Sequence, residues 1–322
     1  MPADVLAIVL PVFALIAVGY GVARFGLLPQ QVGAALGQFV YVVAIPVLIF
    51  KTLAEADLQG QSPWGLWAAY FSGVVIAWIL GTLIIRKGFR REARAGVIGG
   101  ISAGFANTVM VGLPLAAQVY GEAGLVPILV LITVHLPVMT ILTAILMERA
   151  AALDGTADPP RLFDLALKVA MSLATNPIAV AIVTALAWRL IGLPVGGMFE
   201  DVLDRIASTA LPVALLSLGM SMVLYGLRGN LLPGLWLSLV KLFVMPATVF
   251  AVAAFAIGLP PLWTAVATVT AACPTGVNAF IFANRYGTGH AMSTNAITVT
   301  TAAAVLTTGA WIYVLEIWQL GL

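Results

Sequence analysis

The chain has 322 residues, 62% of them hydrophobic and 9% charged, with a mean hydropathy of +1.08 and a formal net charge of +2. This composition excludes a soluble globular domain and a nucleic-acid binder, and it is that of a polytopic membrane protein. One cysteine, Cys273, leaves no material for an internal disulfide or a cysteine metal cluster.

In chain order, apolar runs long enough to cross a hydrocarbon core of ~30 Å fall at residues 4–23, 34–53, 64–86, 97–119 and 124–148. The first has no Lys or Arg before it and no small-residue cleavage pattern, so it reads as a retained helix rather than a signal peptide. A polar segment with a Pro-Pro break, residues 151–164, follows as a linker. Further runs fall at 166–190, 205–225, 231–257, 261–284 and 291–315. The expected fold is therefore an all-α integral membrane protein of ten transmembrane helices, with one five-helix unit in 1–150 and another in 165–322.

Two of these runs cannot be regular helices. The fourth contains GFANTVMVGLPL, Gly104 to Leu115, with Asn107, Gly112 and Pro114. Pro114 lacks an amide hydrogen and its ring clashes with the carbonyl of Met110, which frees backbone acceptors where lipid offers no donor. The ninth repeats the pattern in TAACPTGVNAFIFANRYG, Thr270 to Gly287, with Pro274, Gly276 and Asn278. Paired interrupted helices in corresponding halves point to the binding site of a secondary transporter.

The halves also superpose. An offset of 166 brings Pro11 onto Pro177, Pro46 onto Pro212 and Tyr120-Gly121 onto Tyr286-Gly287; an offset of 165 brings Ile132-Thr133-Val134 onto Ile297-Thr298-Val299. Because each unit has an odd number of spans, the repeats are expected to be inverted. With the amino terminus outside, the cytoplasmic loops hold eleven of the fifteen Lys and Arg, including Arg86, Lys87, Arg90, Arg91 and Arg94, against three outside (Lys51, Arg189, Arg205). That bias predicts both termini outside the cytoplasm of a plasma membrane and the 151–164 linker inside. The cluster at 86–94 also has the composition of an anionic-lipid contact.

The opening LPVFALIAVGYGVARFGLLP (Leu10 to Pro29) with FVYVVAIPVLIF (Phe39 to Phe50) resembles the start of the auxin efflux carrier family. TNPIAVAIVTALAWRLIGLP (Thr175 to Pro194) and ALPVALLSLGMSM (Ala210 to Met222) are similar to that family's sixth and seventh helices, and the short central linker is like that of its bacterial members. The resemblance implies carriage of a small carboxylate such as malonate or malate. It further implies that the first two helices of each repeat form a scaffold, that helices three to five form a moving domain, and that broken helices four and nine cross. A homodimer through the first, second and seventh helices is implied in the same way. Where plant members carry an acid in the third helix, this chain has AAYFSG, Ala68 to Gly73.

The chemistry of such a crossing can be stated from the residues. Half-helix amino termini bind carboxylates through unpaired N–H groups and a partial positive charge. Asn107 and Asn278 are candidate amide donors, or else they satisfy carbonyls freed by Pro114 and Pro274; Gly112 and Gly276 are expected to let a ligand approach the backbone. No Asp or Glu falls deep within a span. Lys241, in the eighth, reads either as a charge that attracts the anion or pins the moving domain, or as a lysine snorkelling to the surface. His135, in the fifth, reads as a neutral hydrogen-bonded histidine or as a group that changes charge near neutral pH. Cys273 reads as a packed small residue, and the face of Thr294, Thr298, Thr300, Thr301, Thr307 and Thr308 in the tenth span reads as helix packing and backbone bonding, or in part as cavity lining. No nucleotide loop, metal spacing, cofactor motif or nucleophile motif is present. The reading is a secondary organic-anion transporter and not an enzyme. A sodium-coupled symporter like the bile-acid carriers and an intramembrane enzyme are the alternatives, disfavoured by the lack of buried acids and of paired catalytic groups.

Overall fold

The computed structural model describes residues 3–55, 62–156, 171, 174–227 and 229–320. These residues are helical apart from short connections, and their only extended pairing is one isolated antiparallel bridge between Ala106 and Thr275. The helices are α1 (Ala3–Arg24), α2 (Gln30–Phe39), α3 (Ile45–Glu55), α4 (Pro63–Leu83), α5 (Ala93–Gly104), α6 (Leu113–Leu153), α7 (Pro177–Ile191), α8 (Gly197–Tyr225), α9 (Leu232–Leu239), α10 (Met245–Ala251), α11 (Pro261–Ala272), α12 (Asn278–Tyr286) and α13 (His290–Leu320). Among the described residues, seven helical stretches are long and apolar enough to cross a membrane: 7–24, 30–55, 63–88, 108–153, 197–225, 232–257 and 290–319.

The difference from ten expected spans has physical causes. The fourth and ninth runs are each split into shorter pieces, and the second piece of the fourth continues into the fifth within α6. That continuity is broken at Gly121, which takes φ 63° and ψ −152°, a conformation open to glycine alone. Gly287, its partner in the repeat alignment, also takes a positive φ of 67° and ends α12. The first part of the sixth run and most of the 151–164 linker lie outside the described residues.

Mid-span prolines are absorbed rather than breaking their helices. Pro46, Pro114 and Pro246 each follow a wide π-helical turn, at Val40–Ala44, Thr108–Gly112 and Val240–Val244. In each case the residue before the proline bonds five residues back, as Leu113 does to the Thr108 carbonyl. The wider turn removes the demand for the proline N–H and moves the carbonyl its ring would strike. The expectation that Pro114 breaks the fourth span is therefore corrected. The interruption lies upstream, at residues 105–107, and Pro114 is the second residue of α6.

The helices pack in two groups. In one, α8 lies along α1, α2 and α3, and α7 packs on α3. Gly19 and Gly219 let α1 and α8 touch backbone to backbone: a Cβ at Gly219 would stand 2.0 Å from the Ile16 carbonyl oxygen, and one at Gly19 2.1 Å from that of Leu216. Small residues at a helix interface permit this approach where no hydrophobic force drives association. In the other group, α4 packs on α5 and α10, while α11 packs on α6, α10 and α13.

The second group is tied at one end by Asp154, the residue that follows α6. Its carboxylate accepts from the Ala93 and Arg94 amides (2.8 and 3.0 Å), which open α5, and from Arg94 Nε (3.2 Å). Burial alone would raise this carboxyl, but the Arg94 and Ala93 amides and the Arg94 guanidinium outweigh it and hold the group below its ordinary value. Asp154→Asn is expected to lower stability at pH 7 by ~0.5–2 kcal/mol, as loss of a helix cap does. The folded value is depressed, so the contribution is complete above an ordinary carboxylate pKa of ~4 and disappears as pH falls through the folded value. Melting of the two proteins across pH 3 to 7 checks this, with the difference narrowing only at the acid end.

Candidate functional site

The two interruptions meet. The Asn107 amide donates to the Pro274 carbonyl (2.9 Å) and the Gly276 amide donates to the Phe105 carbonyl (2.8 Å), which makes the Ala106–Thr275 pair an antiparallel bridge inside the helical bundle. Irregular backbone at this depth requires internal partners, and they can be traced. The Ser102 carbonyl accepts from Thr275 Oγ1 (2.7 Å), the Thr275 amide donates to Thr300 Oγ1 (3.0 Å), and the Ala272 carbonyl accepts from Thr308 Oγ1 (3.4 Å). The Ala271 carbonyl accepts from Lys241 Nζ at 2.6 Å. Thr300 and Thr308, on the tenth-span face read from sequence as packing and bonding to backbone, are thus partners of the break.

An antiparallel bridge sends the following half-helices away from it in opposite directions, so two amino termini face the crossing. The first begins at the Thr108–Gly112 turn, the second at Asn278. The amides of Val109, Val277 and Asn278 have no acceptor among the described residues. Val109, Met110, Val277 and Asn278 are also where the crossing is only half-buried, whereas residues 101–108 and 271–276 are buried. The Met110 side chain lies close to Gly37 of α2, beside Ser217 of α8. The half-open side of the crossing therefore faces the other helix group.

The candidate residues sort themselves by geometry. Asn107 is 7% exposed, and its Oδ1 accepts from the Met110 amide (3.3 Å), so it caps the half-helix that follows it. Asn278 is half-buried and its side chain bonds no described residue. Gly276 serves backbone approach: a Cβ there would stand 3.1 Å from Phe105 and 3.3 Å from the Ala106 carbonyl oxygen. The space at Gly112 is bordered by Ile128 (3.2 Å) and Cys273 Sγ (3.5 Å). At both glycines an added Cβ would meet protein atoms first. Pro274 lends its carbonyl to the bridge, and Pro114 lies one turn beyond the crossing in α6.

Lys241 is fully buried, at 0% exposure, in the Val240–Val244 π turn. Its ammonium group ends on the Ala271 carbonyl, in the last turn of half-helix α11, where the helix dipole favours a cation. A lysine in this position does not snorkel. His135, also 0% exposed, stands edge-on to Phe105 (4.8 Å) and Tyr70 (5.5 Å). Neither ring nitrogen makes a hydrogen bond of ordinary geometry among the described residues, and the Ala106 backbone is a weaker partner within reach of the ring.

Known proteins bear on this arrangement. A family model described as "Membrane transport protein" matches residues 4–312. The chain belongs to this family, that of the auxin efflux carriers. It is 25% identical over 324 residues to a Rhizobium meliloti protein described as "Putative malonate transporter", covering 98% of this chain and 97% of the relative. An uncharacterized transporter of Methanocaldococcus jannaschii is 24% identical over 98% of this chain and 99% of its own length. One from Methanothermobacter thermautotrophicus is 27% identical over 74% of each chain.

In this auxin efflux carrier family member, one participant escaped sequence reasoning. Tyr70 of α4 is fully buried against His135, and its hydroxyl has no partner among the described residues. It stands in an apolar run with nothing local to mark it. Thr275, between Pro274 and Gly276, was inside the recognised motif, and its role in the bridge follows only from the crossing.

Proposed function

We propose that this protein is a secondary carrier of small carboxylates, of the malonate or malate size, which binds the anion at the crossing. The observation that carries the reading is the pair of half-helix amino termini aimed at one point, with unpaired amides at Val109, Val277 and Asn278 on its half-open side. Such termini hold a carboxylate without a buried protein charge beside it. The relative named for malonate supports this substrate size.

In this reading the chain has ten spans in two inverted five-helix repeats, with both termini outside the cytoplasm of a plasma membrane and the 151–164 linker inside. The α1–α3, α7 and α8 group is the scaffold, through which two copies of the chain pair; the α4–α6 and α9–α13 group moves with the bound anion. The two-group packing and the glycine-locked contact of α1 with α8 support a rigid scaffold.

The placement of Lys241 favours an uncoupled or anion-driven carrier over the sodium-coupled reading. Sodium-coupled carriers use half-helix carboxyl ends to hold the cation, and here a tethered ammonium occupies such an end. Uptake of labelled malonate and malate into proteoliposomes, with sodium replaced by choline, tests the proposal. Saturable uptake that is unchanged by the replacement is expected; uptake that requires sodium would return the symporter reading, and no uptake of any carboxylate in a panel would remove the proposed function.

A further inference from the structure

Away from the crossing, a groove of about 390 Å³ runs between the end of α4, the start of α5 and the end of α6. Its wall is apolar, with Trp78, Ile79, Leu83, Val97, Leu146 and Leu153, and its border holds two arginines, Arg86 and Arg149. Ile79, Leu83 and Leu153 are exposed on the apolar outer surface of the bundle. We infer that this groove binds one anionic phospholipid, its phosphate held between Arg86 and Arg149 and an acyl chain lying along the apolar wall.

Three observations support that occupant. First, the charge is available: neither arginine forms an ion pair with a described residue, and the nearby Asp154 carboxylate is committed to Ala93 and Arg94. Second, Arg86 is seated. Its stem crosses α5 at Gly96, where a Cβ would stand 2.5 Å from Arg86 Cγ, so the glycine opens the track along which the side chain runs. Third, the combination is specific in kind. Guanidinium groups match phosphate oxygens with paired donors, and an apolar wall that continues into the bilayer suits a tethered acyl chain and offers nothing to a free anion. The groove also separates these two arginines from Lys87, Arg90 and Arg91, which do not line it.

The test uses the full-length protein in neutral detergent, with bound lipid counted by native mass spectrometry during titration with phosphatidylglycerol or phosphatidylcholine. The wild type is expected to retain phosphatidylglycerol in preference. In an Arg86→Gln/Arg149→Gln protein that preference should fall about tenfold to thirtyfold, given a contribution on the order of one kcal/mol per basic residue near anionic lipid. A Lys87→Gln/Arg90→Gln/Arg91→Gln protein, with a greater loss of charge, should keep it. Melting in lipid-free detergent checks that the variants fold, and the single substitutions replace the double one if it does not. Equal retention of the two lipids by the wild type would overturn the inference. So would a preference kept in the double variant, or one lost in the triple variant as fully as in the double.

Discussion

Lys241→Met is expected to reduce carboxylate uptake roughly a hundredfold, because one side chain serves two needs. Its ammonium group satisfies the Ala271 carbonyl at the end of α11, and it is the one fully buried charged side chain among the described residues other than histidine. Removing it leaves a buried acceptor unpaired, at a cost of ~1–3 kcal/mol, and deletes the positive charge nearest the break. Lys241→Gln separates the two effects, since its amide can still donate to Ala271 while carrying no charge. The expected result is a Gln variant that melts close to the wild type and transports as poorly as the Met variant. A Gln variant with wild-type uptake would reduce Lys241 to a backbone partner and remove the charge from the account.

Much of this was legible in the sequence because the membrane limits what a backbone can do. Asn, Gly and Pro inside an apolar run of span length must have internal partners, so the two interruptions could be read before any coordinates, while their meeting was implied only by the family resemblance. What they could not reveal was the position of the fourth span's break. Pro114 looks like its cause, yet a π turn at Thr108–Gly112 absorbs it, and three residues upstream of that turn leave the helix instead. Turn width responds to packing on neighbouring helices and has no local sequence code. The glycines show the same limit. Gly112 and Gly276 were recognisable as close-approach positions, but only the fold shows that the neighbouring groups are Ile128 and Cys273 at the first and Phe105 and Ala106 at the second. Tyr70 and the Asp154 cap were invisible for a simpler reason. Each acts on residues about 60 positions away, at His135 and Ala93, and neither stands in a distinctive local pattern.

The most direct test of carboxylate binding at the crossing compares Asn278→Ala with Asn107→Ala, measuring substrate affinity and melting temperature on each purified protein. The structure separates the two asparagines: Asn107 caps its half-helix through the Met110 amide, while the Asn278 side chain stands half-buried at the start of α12 with no described partner. If a carboxylate sits against the α12 amino terminus, Asn278 donates a charge-assisted hydrogen bond worth ~1.5–3 kcal/mol. Asn278→Ala should then weaken binding about tenfold to a hundredfold with little change in melting, and Asn278→Asp should be worse because it adds repulsion to the lost donor. Asn107→Ala should lose stability as well as affinity. The contradicting result is plain: an Asn278→Ala protein that binds the transported carboxylate with wild-type affinity would place the substrate somewhere other than the crossing.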